Sequence, residues 1–343
     1  MRTYKLAIIG FGNVGQGFVQ ILRDQQDDLA HRFGLEYKIV AISDLLKGSI
    51  CNPDGISPAA LLETVEAGRS LETLEASAHG WDAQRTIADA GADVLVELSY
   101  TDLKTGEPAT SYIRQALERR MHVVTTNKGP VALHYAELQA LARQNGVQLG
   151  IEGTVMSGTP AIRMGLDLLA GAGVSRVQGI LNGTTNYILT RMADGVPYAD
   201  ALAEAQSLGY AEADPTGDVE GFDAAGKVVI LANVLMNANI TMADVDRQGI
   251  TKLTPEDITD ARAEKMCWKL IAKVEKIEGG VKASVRPTLI PMTDPLASVS
   301  GATNAITYTT TLLGDLTLIG PGAGRLATGY AILCDLLAFD RMR

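Results

Sequence analysis

The sequence predicts an α/β protein in two parts: a parallel sheet layered with helices, then a second, α+β domain. Three observations carry this. Over the first 150 residues short apolar, β-branched runs alternate with longer segments of 3.6-residue period, the pattern of parallel strands connected through helices. A glycine-rich turn, GFGNVG at 10–15, sits between the first such run and the first periodic segment. From about Ile151 the pattern changes to a Gly, Ser and Thr loop, followed by mixed helices and strands. A length of 343 residues, at roughly 100–200 per domain, also suits two domains.

In the first part, strands are predicted at Lys5 to Ile9, Lys38 to Ile42, Val94 to Leu98 and His122 to Thr125, each followed by a polar or Gly-containing turn. Helices are predicted from Asn13 to about Ala30, from Pro108 to Arg120 and from Val131 to Gln144. Pro108 suits a helix start, where its missing N–H costs nothing. In the second part a helix is expected near Ala161 to Leu169 and a strand at Val174 to Leu181. Antiparallel strands are expected at Val281 to Ile290 and Ile306 to Leu312, and a closing helix at Ala327 to Phe339. No internal repeat or low-complexity tract interrupts the chain.

Composition narrows the function. Hydrophobic residues make up 46% and charged residues 20%, close to the globular average, and 35 Gly against 12 Pro fits many strand-to-helix turns. A net charge of -10 disfavours a nucleic-acid backbone or an anionic membrane surface, so a small molecule is the expected partner. Cys51, Cys267 and Cys334 form no C-x-x-C, which argues against a disulfide framework or zinc site and for a reducing, cytoplasmic setting. His31, His79, His122 and His134 never come at metal-ligand spacing. The first strand begins at Tyr4, leaving no room for a signal peptide. The longest apolar run, Val228 to Leu235, is broken by Asn233 and is far short of a membrane span.

GFGNVG has the context that lifts G-x-G-x-x-G above chance, an apolar strand before it and an amphipathic helix after it. Gly10 permits the tight turn, Gly12 lets backbone approach a pyrophosphate and Gly15 allows close helix packing, while Phe11, Asn13 and Val14 complete the loop. Phosphate is favoured at the N–H groups of the helix start. This is the fingerprint of a Rossmann-type dinucleotide-binding domain. Asp44, ending the second strand, is the candidate for a ribose hydroxyl, although it comes later than the usual interval of about 20 residues, so the first helix is expected to be long. Lys47 nearby could instead attract a 2′-phosphate, leaving NAD and NADP both open.

Reducing a carbonyl needs a hydride donor, a cation to polarise the carbonyl and a proton source for the alkoxide, and lysine can supply the last two. Lys128 follows Asn127 at the carboxyl end of the fourth strand, the edge where open α/β sheets place ligands. Lys227 lies four residues after Asp223 and shares its face on a helix; spacing alone also fits an ordinary surface ion pair. Around it Glu212, Asp214, Asp218, Glu220 and Asp223 form an acidic cluster suited to a substrate ammonium.

Five segments, VVTTNKGPVA at 123–132, IEGTVMSGTP at 151–160, LNGTTNYIL at 181–189, GYAEADPTGDVEGFDAAGK at 209–227 and GPGAGR at 320–325, appear in an order that resembles homoserine dehydrogenase over essentially the whole chain. The resemblance implies reversible reduction of L-aspartate 4-semialdehyde to L-homoserine with NAD(P)H, in amino-acid biosynthesis. It implies that Lys128 and Lys227 flank the reacting carbonyl, that Asp218 supports proton transfer and that Asp223 orients Lys227. Glu212 is then the acceptor for the substrate amino group, and Gly183 and Thr184 the donors for its carboxylate. Ser99, Thr101 and Gly324 match positions along the nicotinamide side of the cofactor. Main-chain carbonyls of Glu152, Val155, Ser157 and Thr159 match a monovalent cation site, usually sodium. Met156 stands where relatives often carry glycine, and Met266, Cys267 and Trp268 where a smaller stretch is expected. The expected division is 1–135 with the C-terminal helix in 320–343 as the dinucleotide-binding domain, and 136–319 as the substrate and homodimer domain. Two other readings remain open: a dehydrogenase of another short hydroxy or amino acid, and a nicotinamide-sensing protein without turnover.

Overall fold

From Leu6 onward the first strand is buried on both faces, which is the position of a central strand in a covered parallel sheet. The computed structural model describes Arg2–Arg341; Met1, Met342 and Arg343, which fall in ranges expected for the first domain, lie outside the described residues. Seven strands form the first sheet: β1 (Arg2–Ile9), β2 (Leu35–Asp44), β3 (Gly48–Cys51), β4 (Ala78–His79), β5 (Val94–Glu97), β6 (His122–Thr125) and β7 (Leu149–Gly150). Their order is β4-β3-β2-β1-β5-β6-β7, parallel from β2 to β7 with β3 and β4 as an antiparallel edge. The chain goes from β1 to one side and returns to the other, so the order reverses between β1 and β5. Their carboxyl ends therefore define the crevice where such sheets take ligands.

One face of this sheet packs Leu6, Ile8 and Val96 with Phe18 of the helix Asn13–Asp24 and with Ile332, Leu333, Leu336 and Phe339 of the closing helix, Arg325–Arg341. The other buries Ile9, Leu95 and Val123 against Ile113, Leu117 and Leu138. The closing helix comes unusually near the helix Asn13–Asp24. A Cβ at Gly17 would lie 2.2 Å from the Arg325 carbonyl oxygen, and one at Gly329 2.6 Å from the Phe18 nitrogen. Glycine at both positions is what lets the two backbones approach.

The single long helix expected after GFGNVG is two helices, Asn13–Asp24 and Gln26–Phe33, separated at Gln25, where φ is -113°. Together they account for the late position of Asp44. The helix expected from Val131 begins three residues earlier and runs Lys128–Asn145, capped by the Asn127 side chain. The chain divides into one unit of residues up to Gly158 with those from Gly324 onward, and a second of Thr159–Ala323. The boundary expected near 135 falls inside the helix Lys128–Asn145.

The second unit is built on a six-stranded sheet of β8 (Val174–Ile180), β9 (Val245–Arg247), β10 (Met266–Ile277), β11 (Gly280–Pro291), β12 (Thr303–Thr310) and β13 (Gly314–Pro321), ordered β13-β12-β8-β10-β11-β9. All neighbours are antiparallel except β11 and β9. The expected helix near Ala161 is a short α-turn, Ala161–Arg163, continued as a π-helix, Met164–Leu168, which closes with the Leu169 N–H on the Met164 carbonyl at 2.8 Å. The helix Phe222–Leu235 is buried over almost its whole length, Lys227 included. Among the described residues no helix is long and apolar enough to cross a membrane.

Candidate active site

In the first unit the glycine loop is shaped by contact with the end of β5. Gly10 has φ +89°, and a Cβ there would lie 2.4 Å from the Leu98 carbonyl oxygen, so no other residue fits without moving backbone. Gly12 and Asn13 are exposed, and nothing lies within 4 Å of where a Gly12 Cβ would be. A Cβ at Gly15 would meet the Gly10 carbonyl oxygen at 2.9 Å, which presses the helix start onto the turn. Among the described residues no side chain caps the helix Asn13–Asp24. Its first N–H groups are therefore available to an anion, with the helix dipole adding to the attraction.

Asp44 organises this loop from the end of β2. Its Oδ2 accepts the buried Phe11 N–H at 2.6 Å, and its Oδ1 accepts the N–H groups of Leu46 at 2.9 Å and Lys47 at 2.8 Å. Burial pushes the Asp44 carboxyl up, but those three N–H donors and the Lys47 charge outweigh it and hold it below the ordinary aspartate range. The group is an ionised acceptor with lone pairs to spare for a ribose hydroxyl.

Lys128 is the first residue of its helix and is half-buried. Asn127 caps that helix by accepting the Gly129 N–H at 3.2 Å and donates to the carbonyls of Ser99 at 3.3 Å and Tyr100 at 2.9 Å, so the segments after β5 and β6 are tied together. Thr101 is exposed, and Gly324, with φ +130°, precedes the closing helix. Glu152, Val155 and Ser157 are buried; the left-handed residue of this loop is Ser157, φ +54°, and not Met156. The Ser157 hydroxyl shares a 2.8 Å hydrogen bond with that of Thr328, and the Glu152 N–H donates to Asp335 Oδ2 at 2.9 Å.

The second unit gathers its chemistry around Asn182. This residue is the N-cap of the helix Gly183–Ala193, its Oδ1 accepting both the N–H and the hydroxyl of Thr185 at 2.9 Å. Its Nδ2 donates to Asp218 Oδ1 at 2.6 Å and to Asp223 Oδ2 at 3.1 Å. Lys227 Nζ reaches the same Asp223 oxygen at 2.8 Å and the Leu181 carbonyl at 2.7 Å. The pair is far from a solvated surface pair, since the Lys227 side chain is only 9% exposed. Burial pushes the Asp218 carboxyl up and the neighbouring Asp223 charge adds to the rise, against the Asn182 amide, the Lys227 charge and Thr184.

The acidic cluster is less of a unit than its spacing suggests. Only Asp218 and Asp223 converge on Asn182. Asp214 caps its own turn by accepting the Thr216 N–H at 3.0 Å, Glu220 accepts the Thr251 hydroxyl at 2.7 Å, and Glu212 is exposed. The Thr184 hydroxyl donates to the Tyr210 carbonyl at 2.6 Å, so the anion donors this helix start offers are the main-chain N–H groups of Gly183 and Thr184. Gly183 itself is required by close approach, a Cβ there meeting the Ala302 carbonyl oxygen at 2.6 Å. Thr159 is buried and donates to the Pro321 carbonyl at 2.9 Å.

Sequence reasoning missed Asn182, although it stands second in LNGTTNYIL; an Asn immediately before a Gly-Thr-Thr helix start is an N-cap signal. It also missed Lys269. This buried lysine on β10 donates to Asn186 Oδ1, one turn along the same helix, at 3.1 Å, and burial lowers its pKa. The bulky residues beside it are structural, Trp268 donating to the Asp257 carbonyl at 3.1 Å.

Residues 160–337 match the family described as homoserine dehydrogenase, and residues 10–152 match its NAD-binding domain. The NAD(+)-dependent homoserine dehydrogenase of Pseudomonas canavaninivorans is 47% identical over 98% of this chain and 96% of its own length. The chain belongs to the homoserine dehydrogenase family. A crystallised homoserine dehydrogenase from Thiobacillus denitrificans superimposes with a TM-score of 0.85 at 32% identity, covering 100% of this chain and 74% of that one. A homoserine dehydrogenase of a hyperthermophilic archaeon, solved in complex with NADPH, gives a TM-score of 0.84 at 29% identity over 100% and 99% of the two chains. A homoserine dehydrogenase of this kind is an NAD(P)-dependent oxidoreductase, and the first unit is its nucleotide-binding part.

Proposed function

We propose that the chain interconverts L-aspartate 4-semialdehyde and L-homoserine, with the Asn182–Asp218–Asp223–Lys227 network handling the proton and substrate charge. The observation that carries this is the buried Lys227, held by Asp223 and the Leu181 carbonyl. An ammonium has three donors, so a third remains for a substrate oxygen. The nicotinamide supplies or accepts the hydride. Lys227 stabilises the oxygen that gains charge, Lys128 polarises the same carbonyl, and Asp218 exchanges the proton. The amides of Gly183 and Thr184 receive the substrate carboxylate and Glu212 its ammonium. Purified protein given L-homoserine and either NAD or NADP should produce homoserine-dependent absorbance at the reduced-nicotinamide band. Absence of turnover in protein that binds the cofactor would favour another substrate or a sensing role.

NAD is the preferred cofactor in this reading. An ionised Asp44 accepts from a ribose 2′-hydroxyl and repels a 2′-phosphate. Asp44→Asn is expected to narrow the NAD over NADP ratio in kcat/KM by at least about tenfold, because it removes the like-charge penalty. An unchanged ratio would take Asp44 out of the discrimination. A sodium ion on the carbonyls of Glu152, Val155, Ser157 and Thr159 also belongs to this reading, supported by the burial of all four and the left-handed Ser157. Sodium at constant ionic strength, against choline, should then raise the melting temperature by mass action; identical curves in the two salts would exclude it. A cytoplasmic homodimer completes the proposal, with Leu312, Leu313 and Ile319 exposed at the β12–β13 hairpin of the second unit.

A further inference from the structure

At the crevice edge of the first sheet, the last residue of β5 is a fully buried glutamate, Glu97. Its Oε1 accepts both the N–H of Ser99, at 2.8 Å, and the Ser99 hydroxyl. Its Oε2 accepts the Thr125 hydroxyl at 2.8 Å, and that hydroxyl oxygen in turn accepts the Asn127 N–H at 3.0 Å. Asn127 Nδ2 returns to the Ser99 carbonyl at 3.3 Å, so the ring Glu97, Thr125, Asn127, Ser99 is closed, with Lys128 next in the chain. Burial pushes the Glu97 carboxyl up, against the hydrogen bonds from Ser99, Thr125 and Asn127.

This ring fixes more than position. The Ser99 hydroxyl donates to the same Oε1 that accepts the Ser99 N–H, an arrangement in which that oxygen acts as an acceptor only. A serine hydroxyl has one proton and two lone pairs; with the proton committed inward to Glu97, the outward-facing oxygen can only accept. Of the polar groups on the redox end of a nicotinamide cofactor, the one that offers an N–H is the carboxamide.

We propose that Glu97 is a positioning residue that sets Ser99 as an acceptor for the carboxamide N–H of the nicotinamide, thereby fixing the ring's orientation. The proposal rests on the reading that Ser99 lies along the nicotinamide side. Glu97→Leu removes both acceptors and frees the Ser99 hydroxyl to turn, whereas Glu97→Gln can keep its carbonyl on the fixed Ser99 N–H and hold Ser99 as it was, with only the Thr125 hydroxyl turning.

The test measures binding of three ligands to the full chain by calorimetry, after wild-type turnover with homoserine has been recorded. The ligands are NADH, ADP-ribose, which lacks the ring, and reduced 3-acetylpyridine adenine dinucleotide, which keeps the ring but has no amide N–H. In Glu97→Leu, NADH affinity should fall about tenfold, the scale of one well-made hydrogen bond, with ADP-ribose and the acetylpyridine analogue essentially unchanged. Ser99→Ala should give the same pattern. In both variants kcat should fall while circular dichroism stays that of wild type, because a misplaced ring loses its attack geometry. Equal weakening of all three ligands would reduce Glu97 to a structural role and overturn the proposal, as would unchanged NADH affinity. Absent wild-type turnover would instead count against the homoserine reading.

Discussion

Replacing Lys227 with alanine is expected to lower kcat at least about a hundredfold, the usual scale for losing a positioned acid or electrostatic stabiliser. The ammonium is buried inside the unit and held from two sides by Asp223 and the Leu181 carbonyl, and in the proposed mechanism it stabilises the oxygen that gains charge. Its loss also removes the Lys227 charge that opposes the Asp223 charge at Asp218, which raises the cost of ionising Asp218. Lys227→Met, which keeps the volume of the stem, separates chemistry from packing: turnover should be lost while the melting temperature changes less than in the alanine variant. A kcat/KM near wild type in either variant would remove Lys227 from the mechanism.

Asp218→Asn should cost a comparable factor, on the order of a hundredfold in homoserine oxidation, and should change the shape of the pH profile. In the proposed mechanism oxidation uses Asp218 as a base. Because burial and Asp223 raise its pKa, the proton returns at a higher pH than an ordinary aspartate, whose pKa is about 3.9. Activity in the wild type should therefore decline as pH falls through that raised value, and the asparagine variant should lack this acidic limb. A limb that survives unchanged in Asp218→Asn belongs to another group.

The elements that could be read from the chain are those with apolar periodicity. β1, β2, β5 and β6 are buried on both faces and announce themselves as β-branched runs. β13 could not be seen, because it is exposed along nearly its whole length and has no inward face to give a pattern. β10 carries lysine at 269, 273 and 276, and the burial of Lys269 depends on Asn186 from a helix more than 80 residues away in sequence. The break at Gln25 was hidden because both flanking segments are helical, and only the backbone angles separate them. At the site, motif spacing marked Asp218, Asp223 and Lys227 but not the bond that organises them. Asn182 comes from a different segment, and a hydrogen bond between distant segments leaves no periodic trace. Glu97 was passed over because in sequence it is merely the polar end of an apolar strand.

The glycine-mediated crossing of the closing helix on Asn13–Asp24 bears on how the protein assembles during synthesis. Leu333, Leu336 and Phe339 belong to the core that β1 begins, so the first unit is interrupted in sequence by the whole of the second. On the ribosome Thr159–Ala323 is contiguous and can fold as it emerges, whereas the nucleotide-binding unit waits for the last helix to arrive. Until then its Gly17 face is uncovered, and that interval is when chaperones or a bound dinucleotide would have the most influence on yield.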